Sequence, residues 1–391
     1  MMGSEVIYLE KANELRQAIR EGKYANGRFL SETQLMRKFG IGRQTAIRIL
    51  NVLQREGLIV RRKGAGTFLS KTGRRMTGRI GLVIHGSDYC EMFSPVARHF
   101  SHLCQQKGLA LLFADVSCAD NSKRAAEVIR TVREVVETGV DGVIFHPLEL
   151  MRNATDLNHE IMKLFDAAQI PVVLLDSDIV QSPERSAYDL ASVNHFEAGR
   201  RLAKHLRDVG AHRIAYLVQP NHAPCVQERQ LGVKTGCEGL ELAGKALLAE
   251  PDDAALIGRF LRRERPDAIA CYNDRQAAIL VKTLAALGRR VPDDILVAGF
   301  DDVNFARLST PTLTTLHQPC QELAELAFEM LQARLHHPEA PVREVFLTAP
   351  LVVRESTMRP STGEARQNFC KVRKQKGTKV KETNQRKRGQ K

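Results

Sequence analysis

The sequence predicts an α/β protein: a two-lobed body of doubly wound parallel sheets, with a small helical domain in front of it. Three observations carry that reading. The chain has 391 residues, more than one ordinary compact domain holds, so two or three core-forming units are expected. Short apolar runs recur at 80–84, 109–113, 140–145, 171–175, 213–218, 267–271 and 295–300, with amphipathic stretches between most of them. That alternation marks right-handed βαβ units whose sheets are covered on both faces. The first 70 residues lack it and read instead as three helices followed by a hairpin.

In the head, residues 6–21 align Val6, Leu9, Ala12, Leu15 and Ile19 on one helix face, and Gly22 ends the helix. Ser31 is the expected N-cap of a second helix over 32–38, with Gln34 in the reciprocal capping position. Phe39-Gly40-Ile41-Gly42 makes a tight turn, and a third helix opens at Arg43 and runs to about Glu56. Ala46, Ile49, Leu50 and Leu53 turn inward on it, which leaves Arg43, Gln44, Thr45 and Arg48 outward near its N-terminus. A recognition helix presents side chains to the base edges of a DNA major groove from that position. Gly57 caps the helix, and two short strands, 58–62 and 67–69, flank Lys63-Gly64-Ala65-Gly66. A tip with Arg61, Arg62, Lys63, Gly64 and Gly66 suits a wing laid along phosphates, and Ser31, Glu32 and Thr67 complete the expected DNA-binding set.

Charge is distributed to match. Residues 1–72 hold 14 lysines and arginines against 6 glutamates, and residues 359–391 hold 12 against 2, so the two ends carry +8 and +10 and residues 73–358 carry −5 of the net +13. A basic head on a mildly acidic body points to a polyanion bound at the head, because counterion release rewards cations wherever phosphates lie. Residues 70–78 are polar, basic and glycine-bearing and read as a flexible tether; 358–391 read as a disordered basic tail.

Ligands of doubly wound sheets sit beyond the carboxyl ends of the strands. His85 and Ser87 follow the first run of the body, His146 the third, Asp176 the fourth, Asn273 the sixth and Asp301 the seventh, while Arg229 stands early in a helix over 226–240. For any one of these, capping the next helix is an alternative role. Together they suit a neutral polyhydroxylated ligand, whose hydroxyls both donate and accept. A nucleobase would want aromatic partners, and the body offers Phe93 and Tyr272 but no tryptophan. Some 280 residues of this pattern exceed one comfortable sheet, so two lobes with a cleft between them are expected.

Several classes are set aside. No apolar run reaches the roughly 18 residues of a membrane span, and the N-terminus has neither an apolar signal core nor a cleavage site, so a cytoplasmic protein is expected. Eight cysteines without a C-x-x-C pair indicate free thiols. His99, His102 and Cys104, or His336-His337, lack a convincing further ligand, so no metal and no cofactor is expected. Nucleophile-elbow, Walker and dinucleotide motifs are missing, so an enzyme or plain carbohydrate receptor is the weaker reading.

The head resembles the GntR family of winged helix-turn-helix regulators, through G-x-x-L-S-E (Gly27 to Glu32), I-G-R-Q-T-A-I-R-I-L (Ile41 to Leu50) and E-G-L-I-V-R-R-K-G-A-G-T-F (Glu56 to Phe68). The body resembles the LacI/GalR family, whose fold is periplasmic-binding-protein-like. That likeness is carried by V-N-H-F-E-A-G-R-R-L-A-K-H-L (Val193 to Leu206), R-Q-L-G (Arg229 to Gly232), P-D-A-I-A-C-Y-N-D (Pro266 to Asp274) and V-P-D-D-I-L-V-A-G-F-D-D (Val291 to Asp302). The combination looks like the arabinose-repressor-like regulators. The resemblance implies that Arg229, Asn273 and Asp301 contact an effector, that His146 and Asp176 line the same cleft, and that the body forms a homodimer. It divides the chain into a head (1–70), a linker (71–78), a body (79–357) and a tail (358–391). Within the body, lobe 1 takes about 79–188 and 318–347, and lobe 2 about 189–317 and 348–357. The expected function is repression of transcription from an operator, controlled by a small effector, most simply a sugar. A nucleobase or protein co-effector is the alternative, and inducer and co-repressor remain open.

Overall fold

The computed structural model describes residues 3–20, 23–24, 28–62, 65–69, 76–85, 91–116, 124–237, 241–242 and 246–359. The head is α1 (Gly3–Arg20), α2 (Glu32–Phe39), α3 (Arg43–Arg55), β1 (Ile59–Arg62) and β2 (Gly66–Leu69). Ala12, Leu15, Leu35, Ala46, Ile49, Leu50 and Leu53 are fully buried together, each large aliphatic contributing about 1.5–3 kcal/mol. Leu9, expected on the inward face of α1, is instead 46% exposed, because that face has turned away from the core one helical turn before Ala12; the Val6 side chain lies outside the described residues. The Ser31 capping box is complete: its hydroxyl accepts from the Gln34 N–H, and the Gln34 side chain accepts from the Ser31 N–H at 2.8 Å. Arg16 Nε donates to Glu56 at 2.6 Å and ties α1 to the end of α3.

The first sheet of the body is wholly parallel. Its elements are β3 (Arg79–Ile84), α4 (Phe93–Gln106), β4 (Ala110–Asp115), α5 (Arg124–Thr138), β5 (Gly142–Phe145), α6 (Ala154–Ala167), β6 (Val172–Leu175) and β7 (Asp189–Val193). The second sheet takes α7 (His195–Asp208), β8 (Arg213–Val218), α8 (Pro224–Gly236), β9 (Glu241–Leu242), β10 (Leu247–Leu248), α9 (Ala254–Glu264), β11 (Ala268–Cys271), α10 (Asp274–Ala286), β12 (Leu296–Asp301), α11 (Asn304–Leu308) and β13 (Thr314–His317). The chain then returns to the first sheet with α12 (Cys320–His336) and β14 (Glu344–Leu347) and to the second with β15 (Leu351–Val352). The strand orders are β14-β7-β6-β5-β3-β4 and β10-β8-β11-β12-β13-β15, β9 pairing with β8 and only β15 running antiparallel.

The chain divides into two compact units, Met1–Val193 with Pro319–Leu347, and Asn194–Gln318 with Thr348–Lys391. The crossing after Val193 corrects the expected one after residue 188. β7 pairs with β6 and β14 in the first sheet, and buried Asp189 at its start takes a two-point ion pair from Arg334, both contacts 2.9 Å, plus the Arg343 N–H at 2.8 Å. Residues 77 and 78 of the expected flexible tether are held in place. Buried Asp141 accepts the Thr77 and Gly78 N–H groups at 2.7 Å each, which fixes the chain at the entrance to β3; residues 70–75 and the tail from 360 lie outside the described residues.

Within the second unit, α7 and α8 touch backbone to backbone. A Cβ on Gly232 would lie 2.0 Å from the Phe196 carbonyl oxygen, and one on Gly199 2.1 Å from that of Arg229. Neither collision is with a flexible side-chain end, so the helices must separate to admit a methyl group. Gly232→Ala is expected to lower stability by about 3 kcal/mol, read from the urea midpoint; an unchanged midpoint would show that the two helices slide apart freely.

Candidate functional site

The head presents one row of donors. On α3, Arg43, Gln44 and Arg48 are exposed and Thr45 is half-buried, while Ala46, Ile49 and Leu50 on the opposite face lock the helix to the core. The α3 N-cap is Gly42, which makes no side-chain cap. Glu32, expected in the DNA-binding set, is engaged within the head. Its carboxylate pairs with Arg61 of β1 and stands 3.5 Å from Arg43 Nε, and Arg61 also reaches Asn51 at 3.3 Å. One acid thereby aligns a wing arginine and a recognition-helix arginine. Ser31 is committed to its cap. Thr67 is buried and its carbonyl takes the Phe29 N–H at 2.9 Å, so its side chain lies in the head interior; Gly66 beside it is exposed. Arg62 closes β1, and Lys63 and Gly64 lie outside the described residues.

In the first unit, His85 follows β3, His146 follows β5 and Asp176 follows β6, and all three are buried. The two imidazoles lie 5.1 Å apart, and Phe93, opening α4, sets its edge to His146 at 4.6 Å. Burial, reinforced by the positive charge of His146 and Arg124, holds His85 well below the usual histidine range. Asp176 adopts a left-handed backbone, φ +65°, its carbonyl accepting the Ser192 hydroxyl at 2.5 Å. Ser87 lies outside the described residues.

In the second unit the polar residues are held more tightly. Arg229 is 6% exposed, donates Nε to His195 Nδ1 at 3.0 Å and Nη1 to the Tyr272 carbonyl at 2.6 Å, and lays its guanidinium 3.6 Å from the Phe300 ring centroid. A guanidinium stacked on a ring and tied at two nitrogens is fixed before any ligand arrives. Asn273 caps α10, accepting the Gln276 N–H at 2.9 Å, so the capping role weighed for it is real. Gln219 receives Gln276 Nε2 at 3.1 Å and the Tyr272 hydroxyl.

Asp301 ends β12 in an unusual backbone, φ +106°, and Asp302 follows at φ +59°. Consecutive positive angles in residues with a Cβ cost about 1–3 kcal/mol each and persist only where the surroundings enforce them. Here Asp302 is gripped by Arg354 at 2.5 Å, His317 at 3.1 Å and Arg307 at 3.4 Å, and fully buried Asp274 accepts the Val303 N–H at 3.1 Å. Burial, assisted by the neighbouring charge of Asp302, pushes the Asp274 carboxyl up to about 8. Folding therefore takes up a proton between the ordinary carboxylate range and pH 8, and stability falls as pH rises through that window. Asp274→Asn, neutral throughout, is expected to remove this dependence. Melting temperatures of the two proteins should diverge in favour of the variant from pH 5 to pH 8; a constant difference would mean that Asp274 is ionised in the native state.

His195, Phe300, Tyr272, Phe93 and Arg124 join these clusters without having been named for them from the sequence, although Phe93 and Tyr272 stood out as aromatic. His195 and Phe300 lie within the stretches that carry the LacI/GalR resemblance, the one following an N-cap and the other inside an apolar strand, but nothing local marks them as partners of Arg229. Five cysteines among the described residues are free thiols, all but Cys320 buried. Among the described residues no helix is long and apolar enough to cross a membrane.

Residues 7–69 match the model of bacterial regulatory proteins of the gntR family, and residues 203–357 that of a periplasmic binding protein-like domain. The chain is 26% identical over 369 residues to the arabinose metabolism transcriptional repressor of Geobacillus stearothermophilus, covering 90% of this chain and 97% of that one. It is 30% identical over 288 residues to the HTH-type transcriptional repressor PurR of Mannheimia succiniciproducens, covering 72% of this chain and 81% of the relative. Among solved structures, a transcriptional regulator CelR–cellobiose complex superposes with a TM-score of 0.61 at 20% identity, over 80% of this chain and 90% of the other. These relatives are repressors and not enzymes. A basic helix-turn-helix head, two parallel sheets carrying polar residues on their carboxyl edges and these likenesses agree: the chain belongs to the LacI/PurR-type family of transcriptional repressors, with a gntR-family head and a ligand-binding effector body.

Proposed function

We propose that this protein is a homodimeric repressor acting in the cytoplasm, whose two heads read the halves of a pseudo-palindromic operator and whose affinity for it is set by a sugar bound to the body. The observation that carries the DNA half is the row of Arg43, Gln44 and Arg48 exposed along the first two turns of α3, with Arg61 aligned beside it through Glu32. Arginine and glutamine at those positions suit guanine and adenine edges, and Arg61 with the glycine-bearing wing suits backbone phosphates. Within the second unit, the preset Arg229 and the enforced turn at Asp301 are of the donor and acceptor types a sugar needs. Named relatives fit this choice: one represses arabinose metabolism, and solved neighbours hold cellobiose and ribose.

Selection of duplexes from a random pool by the full chain tests the DNA half. Inverted repeats with half-sites about one helical turn apart, bound with a steep salt dependence, are expected. Recovery of unrelated sequences bound equally well would contradict it.

A further inference from the structure

Basic charge gathers at one edge of the second unit, although residues 73–358 as a whole carry −5. An open cavity of about 630 Å³ there is lined by Arg262 and Arg265 from the end of α9, by Arg289 from the loop after α10, and by two acids, Asp267 and Asp294. Asp267 immediately precedes β11 and Asp294 stands just ahead of β12, so the cavity lies at the amino edge of the sheet, the opposite edge from Asn273 and Asp301. All three arginines are exposed.

The acids at this edge are already engaged. Asp267 accepts the His212 and Arg213 N–H groups at 2.8 Å each. Asp294 holds Arg290 through its N–H at 2.8 Å and its guanidinium at 2.9 and 3.2 Å. Glu264 takes Arg263 at 2.7 Å and Arg213 at 3.2 Å. Among the described residues, the guanidinium groups of Arg262, Arg265 and Arg289 form no ion pair and no hydrogen bond, and Arg289 lends Asp294 only a longer-range attraction.

Helix geometry explains part of this. Cations in the last turn of α9 answer its negative end, which accounts for Arg262 and Arg263. It does not account for Arg289 on another element. Nor does it account for Arg265, which closes the helix in a left-handed backbone, φ +48°, where glycine or asparagine is the easier residue. Arg359 extends the charge: its Nη1 donates to the Gly210 carbonyl at 3.3 Å and its Nη2 to that of Asp267 at 3.4 Å. The basic C-terminal segment, with 12 lysines and arginines against 2 glutamates over residues 359–391, therefore starts from this same edge.

We infer that the amino edge of the second unit, together with the segment that leaves it at Arg359, is a second DNA-contacting surface that takes duplex phosphates without regard to sequence. Guanidinium forks match phosphate oxygens two at a time, and each phosphate neutralised releases counterions. Unpaired arginines on separate elements, continued by a long basic segment, suit a polymer of charge better than one small anion. The choice of DNA as that polymer rests on the reading of the head proposed above; the surface itself does not. One chain then holds its operator by the head and another stretch of duplex by the second unit.

The test saturates the full chain with its selected duplex, unlabelled, and then titrates in a labelled duplex of scrambled sequence, followed by anisotropy at several salt concentrations. Uptake of the second duplex with a steep salt dependence is expected. Substituting Arg262→Gln, Arg265→Asn and Arg289→Gln together should lower that affinity at least about tenfold and reduce the salt slope by about 0.9 per arginine, with operator Kd and melting temperature at the wild-type values. Asparagine is chosen at 265 because it tolerates the left-handed backbone. Ending the chain after Arg359 should reduce the slope further. Should the triple variant fail to fold, Arg289→Gln alone still reads a fall of about one in the slope. No second duplex on the operator-saturated wild type, or an unchanged slope in the triple variant, overturns the surface, and tighter uptake of single-stranded RNA than of duplex overturns the choice of DNA. A chain that takes no selected duplex in the first step fails the head reading alone; scrambled duplex compared on wild type and triple variant still decides the surface.

Discussion

Arg48→Ala is expected to cost about 1–3 kcal/mol of operator affinity, roughly a five- to 150-fold rise in Kd, and to relax the preference at one base pair of each half-site. The side chain lies on the exposed face of α3, one turn beyond Arg43, while its neighbours Ile49 and Leu50 are fully buried, so truncation leaves the head core untouched. Arg61→Ala is expected to behave differently. As a wing residue held by Glu32 and Asn51, it should weaken all duplexes about equally and reduce the salt slope by about one. Measured side by side on selected and scrambled duplexes, the two variants separate base reading from backbone grip. Equal losses on both duplexes for Arg48→Ala would place that residue on phosphate as well.

Asp301→Asn is expected to weaken the effector by about 1.5–3 kcal/mol, some ten- to 150-fold, while operator binding without effector stays at the wild-type value. Asparagine is the informative choice because it tolerates the positive φ of +106° at this position better than alanine does, so the enforced turn survives and only the charge is lost. Asp302, which Arg354 and His317 hold, is left in place. The preset guanidinium of Arg229 explains why the penalty should be large: with Arg229 fixed by His195, Tyr272 and Phe300, it cannot move to compensate for a lost acceptor. Calorimetry for the effector and fluorescence anisotropy for the operator check the two halves independently. Loss of basal operator binding in a folded Asp301→Asn protein would undo the separation of roles between head and body.

How far the sequence was legible depended on whether a signal was local. The Ser31 capping box, the Gly40 turn and the inward set Ala46, Ile49, Leu50 and Leu53 are short-range features, and the structure has them where the pattern put them. The seven apolar runs of the body are strands for the same reason. β7 escaped because it begins with an aspartate and carries a serine among its apolar residues; the aspartate makes sense in a strand only once Arg334, 145 residues away, is known to reach it. The lobe boundary shifted with it. The strand-end rule found His85, His146, Asp176, Asn273 and Asp301 on the carboxyl edges, yet it said nothing of what faces them. His195 on Arg229, Phe300 beneath the guanidinium and the buried Arg124 beside His85 are tertiary pairings with no periodicity to announce them. Glu32 is a further case: its position in a motif suggested contact with DNA, and the structure adds ion pairs to Arg61 and Arg43 that no local pattern announces.

If the proposed function holds, one chain couples ligand to operator. The most direct measurement is the Kd of the full chain for its selected duplex, by anisotropy, with and without a saturating concentration of the compound that raises its melting temperature. A coupling of about 1–3 kcal/mol, a five- to 150-fold change in Kd, is predicted, matched by the same factor in the ligand affinity when duplex is present. An operator Kd that stays the same while the ligand demonstrably occupies the body would contradict the account.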